Sequence, residues 1–70
     1  MVIGEIQKSE TEKICVQIQE YKGHKYIDCR IYFENETGEW IPTKKGLTLN
    51  RKTAVEMIDF LQKASKAMEG

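Results

Sequence analysis

Hydrophobic and polar positions alternate through much of the chain and then recur at helical spacing near its end. Ile14, Val16 and Ile18 alternate with Cys15, Gln17 and Gln19, the period of a half-buried strand. Lys22-Gly23 follows as a turn signal. Ile27, Cys29, Ile31 and Phe33 alternate with Tyr26, Asp28, Arg30 and Tyr32, which predicts a second strand from His24 to Glu34. Asn35-Glu36-Thr37-Gly38 reads as a second turn. Glu39 to Thr43 reads as a short third strand, and Pro42 places it at an edge or a bulge because proline cannot donate to the ladder. Lys44-Lys45-Gly46 reads as a basic turn and Leu47-Thr48-Leu49 as a short fourth strand. Val2 to Lys8 fits either an addition to the first strand or a frayed end.

The first hairpin has a register that can be stated in advance. A two-residue Lys22-Gly23 loop sets Tyr21 opposite His24, Ile18 opposite Ile27, Val16 opposite Cys29 and Ile14 opposite Ile31. Every apolar residue then meets an apolar residue on one face. The other face pairs Gln19 with Tyr26, Gln17 with Asp28 and Cys15 with Arg30. A slip of one residue would mix the faces. Lys-Gly is a weaker turn pair than Asn-Gly, so the pattern carries the register more than the turn does. In this register Cys15 and Cys29 point to opposite faces and cannot bond to each other.

Asn50 is a helix N-cap by type and position. After it, Ala54, Met57, Ile58, Leu61, Ala64 and Met68 form one apolar stripe. Val55 and Phe60 lie off that stripe. Either the helix also covers a second subunit, or both residues pack under a loop; the pattern supports the two readings equally.

Composition narrows the options. Seventy residues make one domain, residues 1–70, too short to bury much surface without a disulfide, a metal or a partner. Two cysteines with no secretory signal argue against a disulfide. A single histidine, His24, and no Cys-x-x-Cys pair argue against a metal. Self-association as a homodimer remains. No apolar run approaches the ~20 residues that cross a bilayer, so no membrane partner is expected, and the location is cytoplasmic or nucleoid-associated. Eleven basic and eleven acidic residues cancel. That speaks against a basic protein coating duplex, yet it permits a local basic patch.

The outer face of the hairpin carries Tyr21, Tyr26 and Tyr32 among Gln17, Gln19, His24 and Arg30. Rings among amides and cations suit single-stranded nucleic acid, because bases stack on the rings while the polar groups hold phosphates. The pattern alone fits an ordinary solvated sheet face better, since aromatics prefer strands in any case. Arg51 and Lys52 oppose the helix dipole by ~0.3–1 kcal/mol each, which a bound anion would offset and chance also explains. An enzyme is not expected. There is no paired-carboxylate spacing, no glycine-rich phosphate loop, and His24 sits in or beside a tight turn. No cofactor is implied. Cys15 and Cys29 read as small hydrophobes, with Cys15 mildly reactive beside Arg30. Asp28 reads as a surface charge that orients Arg30, and Trp40 as core or interface.

Two stretches carry a family resemblance. They run from Val16 to Phe33 and from Gly38 to Asn50. The order is aromatic-Lys-Gly, Ile-Asp-x-Arg-x-Tyr-aromatic, then Gly-Glu-x-x-Pro-x-basic-Lys-Gly-aliphatic-Thr-Leu. This resembles the transcriptional coactivator family of positive cofactor four, in its short prokaryotic form, over roughly Lys13 to Leu61. The resemblance implies an α+β fold, a curved four-stranded antiparallel sheet followed by one C-terminal α-helix, dimeric through that helix. It implies sequence-tolerant binding of single-stranded DNA in transcription, replication or repair. RNA on the same surface, or a protein module docking a polymerase or other factor, are the alternatives. By position, Tyr21 and Phe33 match base-stacking aromatics, and Lys22, Arg30, Lys44 and Lys45 match backbone-binding cations. His24 stands where the family often has lysine and completes the nucleic-acid-binding set. Gln19 and Ile41 replace basic residues of the eukaryotic coactivator. One conflict follows from alternation: Phe33 falls on the face opposite Arg30, and can stack bases only if the strand twists, bulges or ends near Tyr32.

Overall fold

Lys22 and Gly23 take φ values of 51° and 79°, both left-handed, as a type I′ hairpin turn requires. The strands on either side therefore pair with only two residues between them. In the computed structural model, which describes residues 1–69, the order is β1 (Val2–Gln7), β2 (Glu12–Tyr21), β3 (His24–Glu34), β4 (Trp40–Leu49) and helix α1 (Arg51–Ala67). The four strands form one antiparallel sheet in the order β1-β2-β3-β4. The β2–β3 ladder has the register the sequence predicts, from Tyr21 opposite His24 to Ile14 opposite Ile31.

The expected sheet of four strands followed by one helix is present, but the strands divide differently. Val2–Gln7 is a separate strand on the outer edge of β2, neither an extension of it nor a frayed end. The two short strands expected around Lys44-Lys45-Gly46 are one continuous strand, β4. The basic segment is not a turn. Arg30 faces Gly46 and Tyr32 faces Pro42, so Thr43, Lys44 and Lys45 together stand against Ile31 alone. That is a bulge, and β3 continues past it to Glu34 because β2 holds it in unbroken register. Gly46 is needed where β4 rejoins the ladder. A Cβ there would land on the Cys29 carbonyl oxygen and the Arg30 Cα, both backbone atoms that cannot swing aside.

Asn50 caps α1 as expected. Its side chain accepts from the Thr53 amide at 2.9 Å, and the Thr53 hydroxyl closes the box by accepting from the Asn50 amide at 3.0 Å. The helix ends one residue before Met68, the last residue assigned to the stripe. Along the stripe only Ala54 and Met57 are half-buried, while Ile58 and Leu61 are more than half exposed. Val55 and Phe60 are 61% and 65% exposed, so no loop covers them. At ~100° per residue, the arc from Phe60 through Leu61 to Val55 spans about 220°.

Among the described residues the only buried apolar side chain is Cys15. The sheet is a single layer. Its apolar face, carrying Ile14, Val16, Ile18, Ile27, Cys29 and Ile31, is only half-buried. The chain exposes 5974 Å², against roughly 4,500 Å² for a folded monomer of this mass. Its radius of gyration is 14.1 Å, against about 11 Å for a compact domain of this length.

Candidate nucleic-acid interface

The polar face of the sheet has three regions. At the hairpin end, Tyr21 is 65% exposed and lies across the ladder from His24. Tyr21, Lys22, His24, Tyr26 and Thr48 line an open cleft of about 360 Å³. Lys22 holds its ammonium 5.3 Å from the centre of the Tyr21 ring. A left-handed backbone is costly for lysine, by ~1–2 kcal/mol, and glycine or asparagine is the usual occupant. The local strain therefore sets a cation beside an exposed ring.

The middle of the face is a closed polar network. Arg30 donates from Nε and Nη2 to the Asp28 carboxylate, the shortest bond being 2.8 Å, and from Nη1 to the Thr43 carbonyl at 3.0 Å. The hydrogen bonds to Asp28, and then its charge, hold the guanidinium still more firmly protonated than usual. Asp28 is not the surface charge expected. It is 7% exposed, because Arg30 lies over it, although it does orient the arginine. Of the five N–H groups of a guanidinium, two remain to meet a ligand. Beside the network, the Gln19 amide donates to Gln17 and the Gln17 amide to the Tyr32 hydroxyl, at 3.1 and 3.0 Å. Burial, and then Asp28, push the Cys29 thiol up. Cys15 is buried, and both cysteines are free.

At the far end, Lys13 pairs with Glu5 at 2.9 Å and lies 4.4 Å over the Trp40 ring. Trp40 is therefore half-buried under a lysine rather than part of a core. The bulge lies on the β4 side of Arg30 and presents Lys44 and Lys45, both exposed. Among the described residues, ion pairs engage Lys13, Arg30 and Lys63, whereas Lys22, Lys44 and Lys45 enter none. Of the cations at this interface, those at the hairpin tip and in the bulge thus carry no carboxylate partner.

Of the seven residues singled out in the sequence, Tyr21, Lys22 and His24 share the cleft. Arg30 braces the segment that bears Lys44 and Lys45. Phe33 is set apart. It pairs with Glu12 and Ile41 on the face of Ile31 and is 40% exposed. The irregularity near it lies in β4, so β3 does not turn its ring towards Arg30. The cleft also includes Thr48, which went unmarked because Leu47-Thr48-Leu49 reads as a detached strand, and Tyr26, whose alternation already placed it on this face.

Comparison with known proteins gives the family and the fold. The family profile of the transcriptional coactivator p15 (PC4) matches residues 8–60. A crystal structure of a PC4 homolog from Burkholderia pseudomallei superposes with a TM-score of 0.86 at 29% identity, covering 93% of this chain and 88% of that one in the orthorhombic form, and 96% of it in the tetragonal form. A bacteriophage T5 homolog of the eukaryotic coactivator, implicated in recombination-dependent DNA replication, shares the fold with a TM-score of 0.67 at 24% identity, over 97% of this chain and 80% of that one. No curated protein sequence gives a significant match. No helix among the described residues is long and apolar enough to cross a membrane. The profile covers most of the chain, residues 8–60 of 70: the chain belongs to the PC4 family of transcriptional coactivators.

Proposed function

We propose that this protein binds single-stranded DNA, with little sequence preference, along the polar face of its sheet, and that it catalyses no reaction. The observation that carries the reading is the separation of charge on that face. Arg30 and Lys13 are paired internally, while Lys22, beside the exposed Tyr21 ring, and Lys44 and Lys45 in the bulge are left without carboxylates. Bases stack on Tyr21 in the cleft, and the backbone follows Lys22 and His24 at one end and the bulge lysines at the other. The phage relative, implicated in recombination-dependent DNA replication, supports a role where DNA strands are separated, as in replication, repair or transcription, and a nucleoid location.

The protein acts as a homodimer, its helices joined across the face that the sheet leaves open. The excess surface of about 1,500 Å² over a compact monomer exceeds the ~800 Å² per partner of a standard interface and falls in the obligate range. The wide apolar arc of α1 supplies that surface.

Anisotropy of a labelled oligothymidylate, with matched duplex and RNA competitors, tests the binding reading. Competition by single strands but not by duplex is expected. Equal competition by RNA would widen the ligand to single strands of both kinds. Absence of binding at low salt would sink the reading and favour a protein-docking role for the aromatic face.

A further inference from the structure

Thr43 carries no charge of its own, yet it is the residue on which the bulge turns. Ile31 has no Cα partner in the β3–β4 ladder. Its carbonyl instead accepts the Thr43 hydroxyl at 2.7 Å. The same hydroxyl oxygen accepts the Lys45 amide at 3.1 Å. The Thr43 carbonyl accepts Arg30 Nη1 at 3.0 Å, and Arg30 is fixed in turn by the buried Asp28. The two lysines leave the sheet from a segment tied down at three points on one residue. Without these ties, three residues opposite one would have no defined path, and the lysines would sample many directions.

We infer that Thr43, braced by the Asp28–Arg30 pair, is a positioning residue that aims Lys44 and Lys45 at the phosphates of a bound single strand. The inference rests on the single-stranded DNA reading above and deepens it. It also gives Arg30 a second task, holding the bulge as well as meeting the ligand with its two free N–H groups.

The distinguishing readout is the salt dependence of binding. Each phosphate contact contributes ~0.7 to the slope of log K against log salt for single strands. A substitution that changes no charge leaves that slope alone unless it displaces charges elsewhere. Thr43→Val removes the hydroxyl and keeps the strand-forming shape. With labelled oligothymidylate it should flatten the slope by up to ~1.4, two contacts' worth, as the double variant Lys44→Ala/Lys45→Ala does. Thr43→Ser, which keeps the hydroxyl, should restore the parental slope. Adding Thr43→Val to the double lysine variant should cost nothing further, the non-additivity expected of one unit. Arg30→Lys keeps the charge but loses the fork, and should flatten the slope even if Thr43→Val folds poorly. If Thr43→Val and Arg30→Lys melt normally and keep the parental slope while the double lysine variant flattens it, the positioning role is overturned and the binding face stands. If the double lysine variant also keeps the parental slope, the lysines meet no phosphate and the positioning role is overturned, whereas the single-stranded DNA reading falls only if the parent itself fails to bind at low salt.

Discussion

Leu61 offers the sharpest test of what the helix is for. Within the single chain it is 59% exposed, so the fold of one protomer takes little from it. Leu→Ala at a fully buried site costs ~2–5 kcal/mol. Scaling by the fraction that a partner alone can cover gives about 1.2–3 kcal/mol per protomer. The substitution occurs twice in a symmetric dimer, so association should weaken by about 2.4–6 kcal/mol, or roughly 50-fold to 20,000-fold in the dissociation constant. Sedimentation equilibrium over a dilution series reads this directly. The parent should remain dimeric at micromolar concentration, and Leu61→Ala should dissociate within the series. Lys63→Ala is the control. Lys63 pairs with Asp59 at i,i+4, both well exposed, and lies 5.8 Å from the centre of the exposed Phe60 ring, and such exposed contacts contribute little. A monomeric parent, or a Leu61→Ala dimer as tight as the parent, would refute the assignment of the helix to an interface.

Four further substitutions separate the contributions of the sheet. Tyr21→Ala should weaken binding by ~1–3 kcal/mol, the range for losing a stacking ring, with the salt slope unchanged in the same titration. Phe33→Ala should lower the thermal midpoint and leave the affinity of the folded protein intact, because its ring is on the apolar face; a normal melt with weakened binding would show that the ring stacks bases. Gly46→Ala should lower the urea midpoint by the equivalent of ~1–3 kcal/mol through overpacking against β3, and an unchanged midpoint would show that β4 can move aside. Lys22→Asn should relieve the left-handed strain, raising stability by about 0.5–1 kcal/mol, while flattening the salt slope by ~0.7; tighter or unchanged binding would remove Lys22 from the interface.

What the sequence made legible depended on how local the cause was. The β2–β3 register was readable because two local facts agree: a period of two on both strands, and a turn of two residues. The capped start of α1 was readable from Asn50 and the spacing after it. The basic segment was not. A turn and a bulge use the same residue types, and Lys44-Lys45-Gly46 satisfies either. What decides for a bulge is distant in sequence: β2 keeps β3 straight past Ile31, and Thr43 then finds the Ile31 carbonyl free. The burial of Asp28 was hidden for a similar reason. Alternation places it correctly on the polar face, but only the fold of Arg30 across it removes it from water.

The zero net charge belongs to the same class of non-local effect. Counting eleven of each sign treats every carboxylate as a brake on anion binding. The structure distributes them otherwise. Asp28 and Glu5 are each bound to a cation within the sheet, where they serve to fix Arg30 and Lys13 in place. Those pairs contribute little field beyond a Debye length of roughly 8–10 Å. On the single-stranded DNA reading proposed above, a strand lying on this face meets Lys22 at the tip and Lys44 and Lys45 in the bulge before it meets those carboxylates. On that reading Asp28 assists binding rather than opposing it, because it orients the arginine that holds the bulge. Asp28→Asn distinguishes the two views. If the carboxylate only cancels charge, removing it should tighten binding and steepen the salt slope as Arg30 becomes available. If it is the anchor of the brace, the same change should weaken binding and flatten the slope, although the protein has gained a unit of positive charge. The second result is expected, and the first would show that Arg30 meets phosphate independently of the bulge.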